Sequence, residues 1–310
     1  MTNVLNRYLC VGQGTANTGN PDCEPIPGNF VGAILVPSGT VFTQTQVLTL
    51  DTVLQALAKD DSAAARVYPI TRFQEMTDES TEPKTFESGY GDTTQLSMGK
   101  PQWSFGLHKG MYSWANIVEF DNQQNQWDVL FIDEESNALW GKSVNNGFGG
   151  FPLNRLSVGL PKLNDASTPF SHMITFGLKT AKDLQRFAVV QFSDDTDVVT
   201  MVSGLLTVQP SVATAFASGV GDIRLMAAGT DMYDLYSTEL TSTTEWLVSV
   251  NGAAFANPSA VTAGTATNTW ELTTGATAGQ TISIKLEAPS VLEAAGVAGY
   301  ESATIETTTT

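Results

Sequence analysis

Basic side chains and histidine are scarce in this chain: Lys and Arg total 15 against 32 Asp and Glu, and His108 and His172 are the only histidines. A formal net charge of −17 repels nucleic-acid phosphates, which argues against a specific DNA or RNA binder. With two histidines there is little room for triad chemistry, which needs an imidazole beside a nucleophile and an orienting acid. The two cysteines, Cys10 and Cys23, precede the main pattern and lack the further ligands of a zinc site. They read as a reduced pair or as one disulfide clamping the amino-terminal region. Long apolar runs are also missing. No stretch approaches the roughly 18 apolar residues of a membrane helix, and MTNVLNRYLCVGQG lacks the apolar core of an export signal, so the expectation is a soluble chain without membrane insertion. Charged residues make up 15%, against about 25% in ordinary globular proteins, so the polar surface must rest on Thr, Ser, Asn, Gln and Gly.

The usual chemical signatures are absent or incomplete. Gly12 and Gly14 stand in GQGTAN, without the third glycine or the preceding strand of a dinucleotide loop, and no GxxxxGK[ST] occurs. Around Ser157 the sequence RLSVGL puts Arg155 where a nucleophile elbow needs glycine. His108, at the end of an alternating strand, reads as a surface or interface histidine. Asp133, Glu134 and Glu135 could supply paired carboxylates for glycoside hydrolysis, and Asp194, Asp195 and Asp197 could line a calcium loop. Both clusters fall in predicted turns, where acids serve solvation, and the second lacks the EF-hand register. Trp246 and Trp270 could form a sugar-stacking platform, although tryptophans of β-sandwiches usually pack in the core. The residues therefore nominate no catalytic, cofactor-binding or metal site, and no cofactor.

What is present is β pattern punctuated by Gly, Pro, Asn and Asp. Residues 1–27 hold Gly12, Gly14, Gly19, Pro21, Pro25 and Pro27 and read as an extended arm. Strands are predicted at Phe30 to Val36, Thr40 to Leu48, Val67 to Phe73, Gln102 to His108, Leu156 to Leu163, His172 to Leu178, Phe187 to Phe192 and Val198 to Val208. The segment from Trp127 to Leu153 reads as a hairpin followed by a Gly-rich loop. Helical spacing recurs at Val53, Leu54, Leu57 and Ala58, with Thr49 or Asp51 as N-cap and a continuation to Arg66, and again at Met111, Trp114, Ile117, Val118 and Phe120. Gln74 to Thr94 is polar and acidic, longer than the roughly 12–15 residues usual for a structureless loop, and reads as a projecting loop or extended hairpin that makes intersubunit contacts. Beyond Arg224 the only basic side chain is Lys285, a composition shift that marks a boundary near Pro210. Further strands are predicted at Ile223 to Ala227, Trp246 to Val250, Thr269 to Thr273 and Thr281 to Ala288, with Thr307 to Thr310 as a frayed end. The fold class is mainly β (α+β): a β-sandwich or rolled sheet with a packed helix over residues 28–209, then an Ig-like β-sandwich over 210–310.

The arm, the hairpin with its long loop (Arg72 to Leu107), the helix from Met111 to Phe120, and WDVLFIDEESNALWG followed by GFGGFPL together resemble phage tail-tube-like proteins. ARVYPITRF, EPKTFESGYG and KPQWSFGL are similar to segments of structural proteins from phages and phage-derived elements of Bacteroidetes. The resemblance covers about residues 24–209, and the carboxy-terminal part resembles Ig-like domains that decorate tail and head proteins. It implies a non-enzymatic virion protein, assembled in the host cytoplasm as a homo-oligomer of stacked rings that contacts other virion proteins and passes DNA only as non-specific cargo. A neck ring, head fibre or capsid-associated protein, a carbohydrate-binding or adhesive β-protein, and an acidic hydrolase on Asp133 and Glu135 are the alternatives.

Overall fold

The computed structural model describes residues 4–6, 27–135, 137–144, 147–164, 169–193 and 195–310. The arm expected over residues 1–27, with Cys10, Cys23, Gly12 and Gly14, lies outside the described residues except at Val4–Asn6 and Pro27. The chain divides into two compact units, Met1–Ala58 with Ala64–Val202, and Lys59–Ala63 with Ser203–Thr310. The main segment of the second unit thus begins at Ser203, ahead of the boundary expected near Pro210.

Unit 1 contains, in order, β1 (Val4–Asn6), β2 (Phe30–Pro37), β3 (Val41–Phe42), α1 (Gln44–Val47), α2 (Leu50–Ala58), β4 (Tyr68–Thr71), β5 (Glu75–Asp78), β6 (Lys84–Glu87), β7 (Thr93–Ser97), β8 (Gln102–Leu107), α3 (Met111–Ile117), β9 (Trp127–Asp133), β10 (Ala138–Val144), β11 (Gly147–Gly149), β12 (Phe151–Val158), β13 (His172–Leu178) and β14 (Phe187–Gln191). β9 is the axis of the unit, and all seven of its residues are buried. One edge pairs with β2 along its whole length, from Asp133 opposite Phe30 to Trp127 opposite Pro37. Its other edge is shared: Phe131 to Asp133 pair with β10, while Asp128 and Val129 pair with β12. This split rolls the sheet, so that β10 leads on to β14 and β1 while β12 leads through β13 and β8 to β5.

Strand periodicity of two then sorts the side chains of β2 and β9 into two cores. Ala33, Leu35, Val129 and Phe131 face Phe105, Leu156, Ile174 and Phe176 of the opposing strands. Ile34, Val36, Leu130 and Ile132 face the helix side and pack with Val47, Leu50, Leu54 and Ala58. A helix layer, a shared sheet and a second sheet explain why β2 and β9 are nearly continuously apolar where a one-sided strand would alternate. The two acids of β9 are satisfied by turns at its ends. Asp128 accepts from Ser38 Oγ at 3.2 Å and the Gly39 amide at 3.0 Å, and Asp133 accepts from the Gly28 amide at 2.9 Å and Trp140 Nε1 at 3.0 Å. Gly141 is required by close approach, since a Cβ there would lie 2.5 Å from the Gly149 carbonyl oxygen.

Several boundaries differ from the sequence expectation. The predicted strand Thr40 to Leu48 is only β3 followed by α1, because Thr43 and Gln46 form a capping box: each backbone amide donates to the other's side chain, at 2.9 and 3.3 Å. Thr43 thus caps a separate short helix, while α2 begins at Leu50, directly after the Thr49 expected as its N-cap, and the Val53 amide donates to the Thr49 carbonyl at 3.0 Å. α2 stops at Ala58 short of Arg66, and Asp60 accepts from the Ser62 amide at 2.8 Å in a turn that competes with helix. In α3 only Ile117 is buried, and Met111 and Tyr112 are about half exposed.

Unit 2 comprises β15 (Leu206–Ala217), β16 (Val220–Ala227), β17 (Thr230–Asp231), α4 (Tyr233–Tyr236), β18 (Trp246–Val250), β19 (Ala260–Ala263), β20 (Trp270–Thr273), β21 (Thr281–Leu286), α5 (Pro289–Ala294), β22 (Tyr300–Ser302) and β23 (Ile305–Thr308). It is a β-sandwich. One sheet runs β19, β20, β16, β15, β22 with β17 on β16, and the other runs β18, β21, β23. Ile223, Leu225, Trp270 and Leu272 of the first meet Trp246, Val248, Ile282 and Ile284 of the second. Val198 to Met201 form turns, and the predicted strand there starts only at Leu206. β15 then runs through Pro210, whose missing N–H falls just after the parallel ladder to β22 ends at Val208. The end expected to fray is held: β23 pairs with β21, Thr309 is buried, and the Thr310 amide donates to the Phe216 carbonyl at 2.8 Å.

Candidate functional site

The most distinctive surface of unit 1 grows from β5 and β8, which pair from Glu75 opposite Gly106 to Asp78 opposite Trp103. Their ladder continues through the Glu79 amide to the Gln102 carbonyl (2.9 Å) and the Thr81 amide to the Lys100 carbonyl (3.0 Å). Beyond a bend at Gly99, whose φ of +79° and contact with the Thr81 carbonyl only glycine tolerates, β6 and β7 form a two-stranded ribbon closed at Ser88 to Asp92. The polar stretch expected as a loop or extended hairpin is thus hairpin to its tip. Every residue of β5, β6 and β7 is exposed, including Phe86 at 58% and Leu96 at 67%, with Met76 about half exposed; Tyr90 in the tip turn is 98% exposed and Met98, just after β7, about half. A ribbon bathed on both faces gains nothing from burial, and an isolated two-stranded ribbon is marginal in water. Among the described residues β5 has no partner on its second edge, so it also offers an open ladder.

At the root of this ribbon the two sheets of unit 1 leave an apolar cavity of about 440 Å³, lined by Pro27, Gly28 and Met76 together with Phe30, Trp103, Phe131, Trp140, Phe151, Leu184 and Phe187. The rings form one network: Phe30 stacks on Phe131 at 4.9 Å, Trp103 meets Phe131 edge-on at 5.4 Å, and Trp140 stacks on Phe187 at 5.8 Å. The bond from Trp140 to Asp133 satisfies that indole and presents its hydrocarbon face to the cavity. A 3₁₀ helix, Ala181–Arg186, forms one wall and carries the exposed Lys182 and Arg186. Lys142 lies 3.9 Å from Asp183 on that wall.

The residues singled out for chemistry do not converge. Ser157 stands opposite Thr175, and its neighbour Arg155 donates to it at 3.2 Å. Thr175 and His172 are three residues apart on β13, so they point to opposite faces, and Ser157 lies on the face away from His172. His172 instead continues the core row of Ile174, Phe176 and Leu178. Both its ring nitrogens are buried without a hydrogen-bond partner among the described residues; burial and the nearby Lys109 charge hold its pKa below 6.5. Lys109 is itself lowered by burial and by Arg72. His108 lies 3.6 Å from Glu75 at the root of the ribbon.

Because native His172 resists a proton that the unfolded chain accepts, its contribution to stability is full above pH 6.5 and falls as the pH drops through its lowered pKa. His172→Phe is expected to leave unit 1 unchanged or up to about 1 kcal/mol more stable at pH 7, since it removes two unpaired polar atoms. Denaturant midpoints at pH 7.5 and 5 should converge in the variant.

The acidic clusters are structural. Asp133 is fully buried at the end of β9, correcting its placement in a solvated turn, because the Gly28 amide and the Trp140 indole draw it inward; Glu134 and Glu135 do occupy the exposed turn. Asp194 lies outside the described residues. Asp197 accepts from Thr200 Oγ1 at 2.8 Å and the Val199 amide at 2.9 Å, bonds that close its own turn and lower its pKa. Trp246 and Trp270 are fully buried, 5.9 Å apart, and Trp246 donates to the Leu240 carbonyl. Neither ring has a face for a sugar. Comparison with family models and with curated proteins finds no match for this chain.

Proposed function

We propose that this chain is a non-enzymatic structural protein of a phage virion, self-assembling into stacked rings of a tail tube, with unit 1 making the assembly and unit 2 an outward Ig-like appendage. The observation that carries the reading is the Glu75 to Trp103 ribbon, which holds five large apolar side chains in solvent within one continuous segment. Patches of this kind mark interaction sites, and a self-complementary protein can cover them only with further copies. The open edge of β5 adds a ladder for strand pairing between subunits. The net charge of −17 suits a conduit for DNA, since like charge keeps a passing duplex from adhering. A neck ring or head-associated position would use the same surfaces.

The Thr81 amide donates to the Lys100 carbonyl at 3.0 Å, so Glu82 to Gly99 can be replaced by Asn-Gly as a two-residue hairpin turn that leaves the buried Pro101 in place. Light scattering over a concentration series is expected to show large assemblies for the full chain and a monomer of unchanged melting temperature for the shortened one. Equal assembly by both would remove the ribbon from the account.

A further inference from the structure

We propose that the aromatic socket between the sheets of unit 1 receives the tip of the Lys84 to Ser97 ribbon from a second copy of this chain, with Tyr90 as the entering side chain. This rests on the assembly reading above and names the surface that meets the ribbon. The ribbon does not fill its own socket. Met76 already lies on the socket wall, and from Glu79 to Lys100 the ribbon stays exposed as it leads away.

Size and chemistry match. The cavity of about 440 Å³ lies within the range of preformed ligand sites, roughly 300 to 1,000 Å³, and its lining is hydrocarbon and aromatic face. The tip offers Tyr90, the most exposed large apolar side chain of the chain's described residues, flanked by Phe86 and Leu96. Aromatic side chains entering desolvated pockets are the usual anchors of interfaces.

Charge selects the same pairing. Lys182 and Arg186 stand exposed on the 3₁₀ wall and Lys142 lies 3.9 Å from Asp183 on it, so this side of the rim is basic, while Glu135 and the buried Asp133 lie against Gly28 on another side of the lining. From Asp78 to Lys100 the ribbon carries Asp78, Glu79, Glu82, Glu87 and Asp92 against Lys84 and Lys100. In a chain this acidic, two random surfaces repel, whereas an acidic ribbon on the basic side of the rim attracts and fixes the register. Ribbon and socket are different surfaces of one unit, so the contact is heterologous and propagates from copy to copy into a ring or stack.

The test places p-benzoylphenylalanine at position 90 in the full chain, mixes it with isotope-labelled wild-type chain, and maps photo-crosslinks by mass spectrometry. The expected products join position 90 of one copy to the 179–187 segment or to Trp103 of the other. In parallel, Lys182→Glu with Arg186→Glu is expected to raise the concentration needed for assembly about tenfold or more, and adding Glu82→Lys with Glu87→Lys to restore it. Crosslinks confined to the same chain, to residues 7–26 of either copy, or to surfaces away from the socket would overturn the docking while leaving assembly standing. A wild-type chain that stays monomeric across concentration and salt would overturn both.

Discussion

Phe131→Ala is expected to destabilise unit 1 by about 3–5 kcal/mol while leaving unit 2 unchanged. Phe131 is fully buried on β9, and five aromatic rings surround it: Phe30, Trp103, Phe105, Phe151 and Phe176, with centroids between 4.9 and 6.2 Å away. These neighbours come from β2, β8, β12 and β13, so they are held by separate ladders and cannot collapse together into the vacated volume. The cavity left should keep most of its cost. Because the two units have separate cores, calorimetry should show one transition moving and the other staying. A small loss from Phe131→Ala, about 1 kcal/mol, would mean that this centre is loosely packed.

Asp222→Ala is the matching experiment in unit 2, with an expected loss of about 3 kcal/mol. Asp222 lies on β16, buried, and accepts from Thr214 Oγ1 at 2.8 Å, Thr265 Oγ1 at 2.7 Å and the Ala266 amide at 3.0 Å. One carboxylate thereby ties β15 and the turn before β20 to the middle of the sheet, and alanine would orphan the Ala266 amide. Burial works against ionisation here, and the hydrogen bonds from Thr265, Ala266 and Thr214 outweigh it, holding the pKa below 3.8. The unfolded chain therefore takes up a proton before the native one does. The stabilisation is complete above pH 3.8 and is lost as the pH falls through the lower folded value. Unit 2 should become acid-sensitive below pH 3.8 in the wild type and lose that sensitivity in Asp222→Ala, as followed by its calorimetric transition at pH 3 and 7.

The sequence made the strands legible wherever local pattern and tertiary demand agreed. His172–Leu178 and Trp246–Val250 fall where apolar periodicity puts them, because their turns carry their own Pro, Ser or Asn signals. Misplacements occurred where a side chain decided the backbone. Thr43 and Gln46 turn an apolar strand pattern into a helix by capping each other, and Val198 and Val202 look like strand residues but pack as turn residues against the helix-side core. Asp133 looked like a turn acid because the Trp140 and Gly28 groups that bury it are distant or non-periodic in sequence. Of the proposed interaction surface, the acidic, overlong excursion after Phe73 was visible, and its length alone raised the expectation of contact between subunits. The socket was not visible. Its walls come from seven strands and a 3₁₀ helix, brought together only by the split pairing of β9.

Negative-stain electron microscopy of the purified full chain tests the central claim most directly. The account predicts rings or stacked tubes with a central channel, forming as concentration rises and lost when Glu82 to Gly99 are replaced by Asn-Gly. Isolated particles of about 33.1 kDa at every concentration and salt would contradict it.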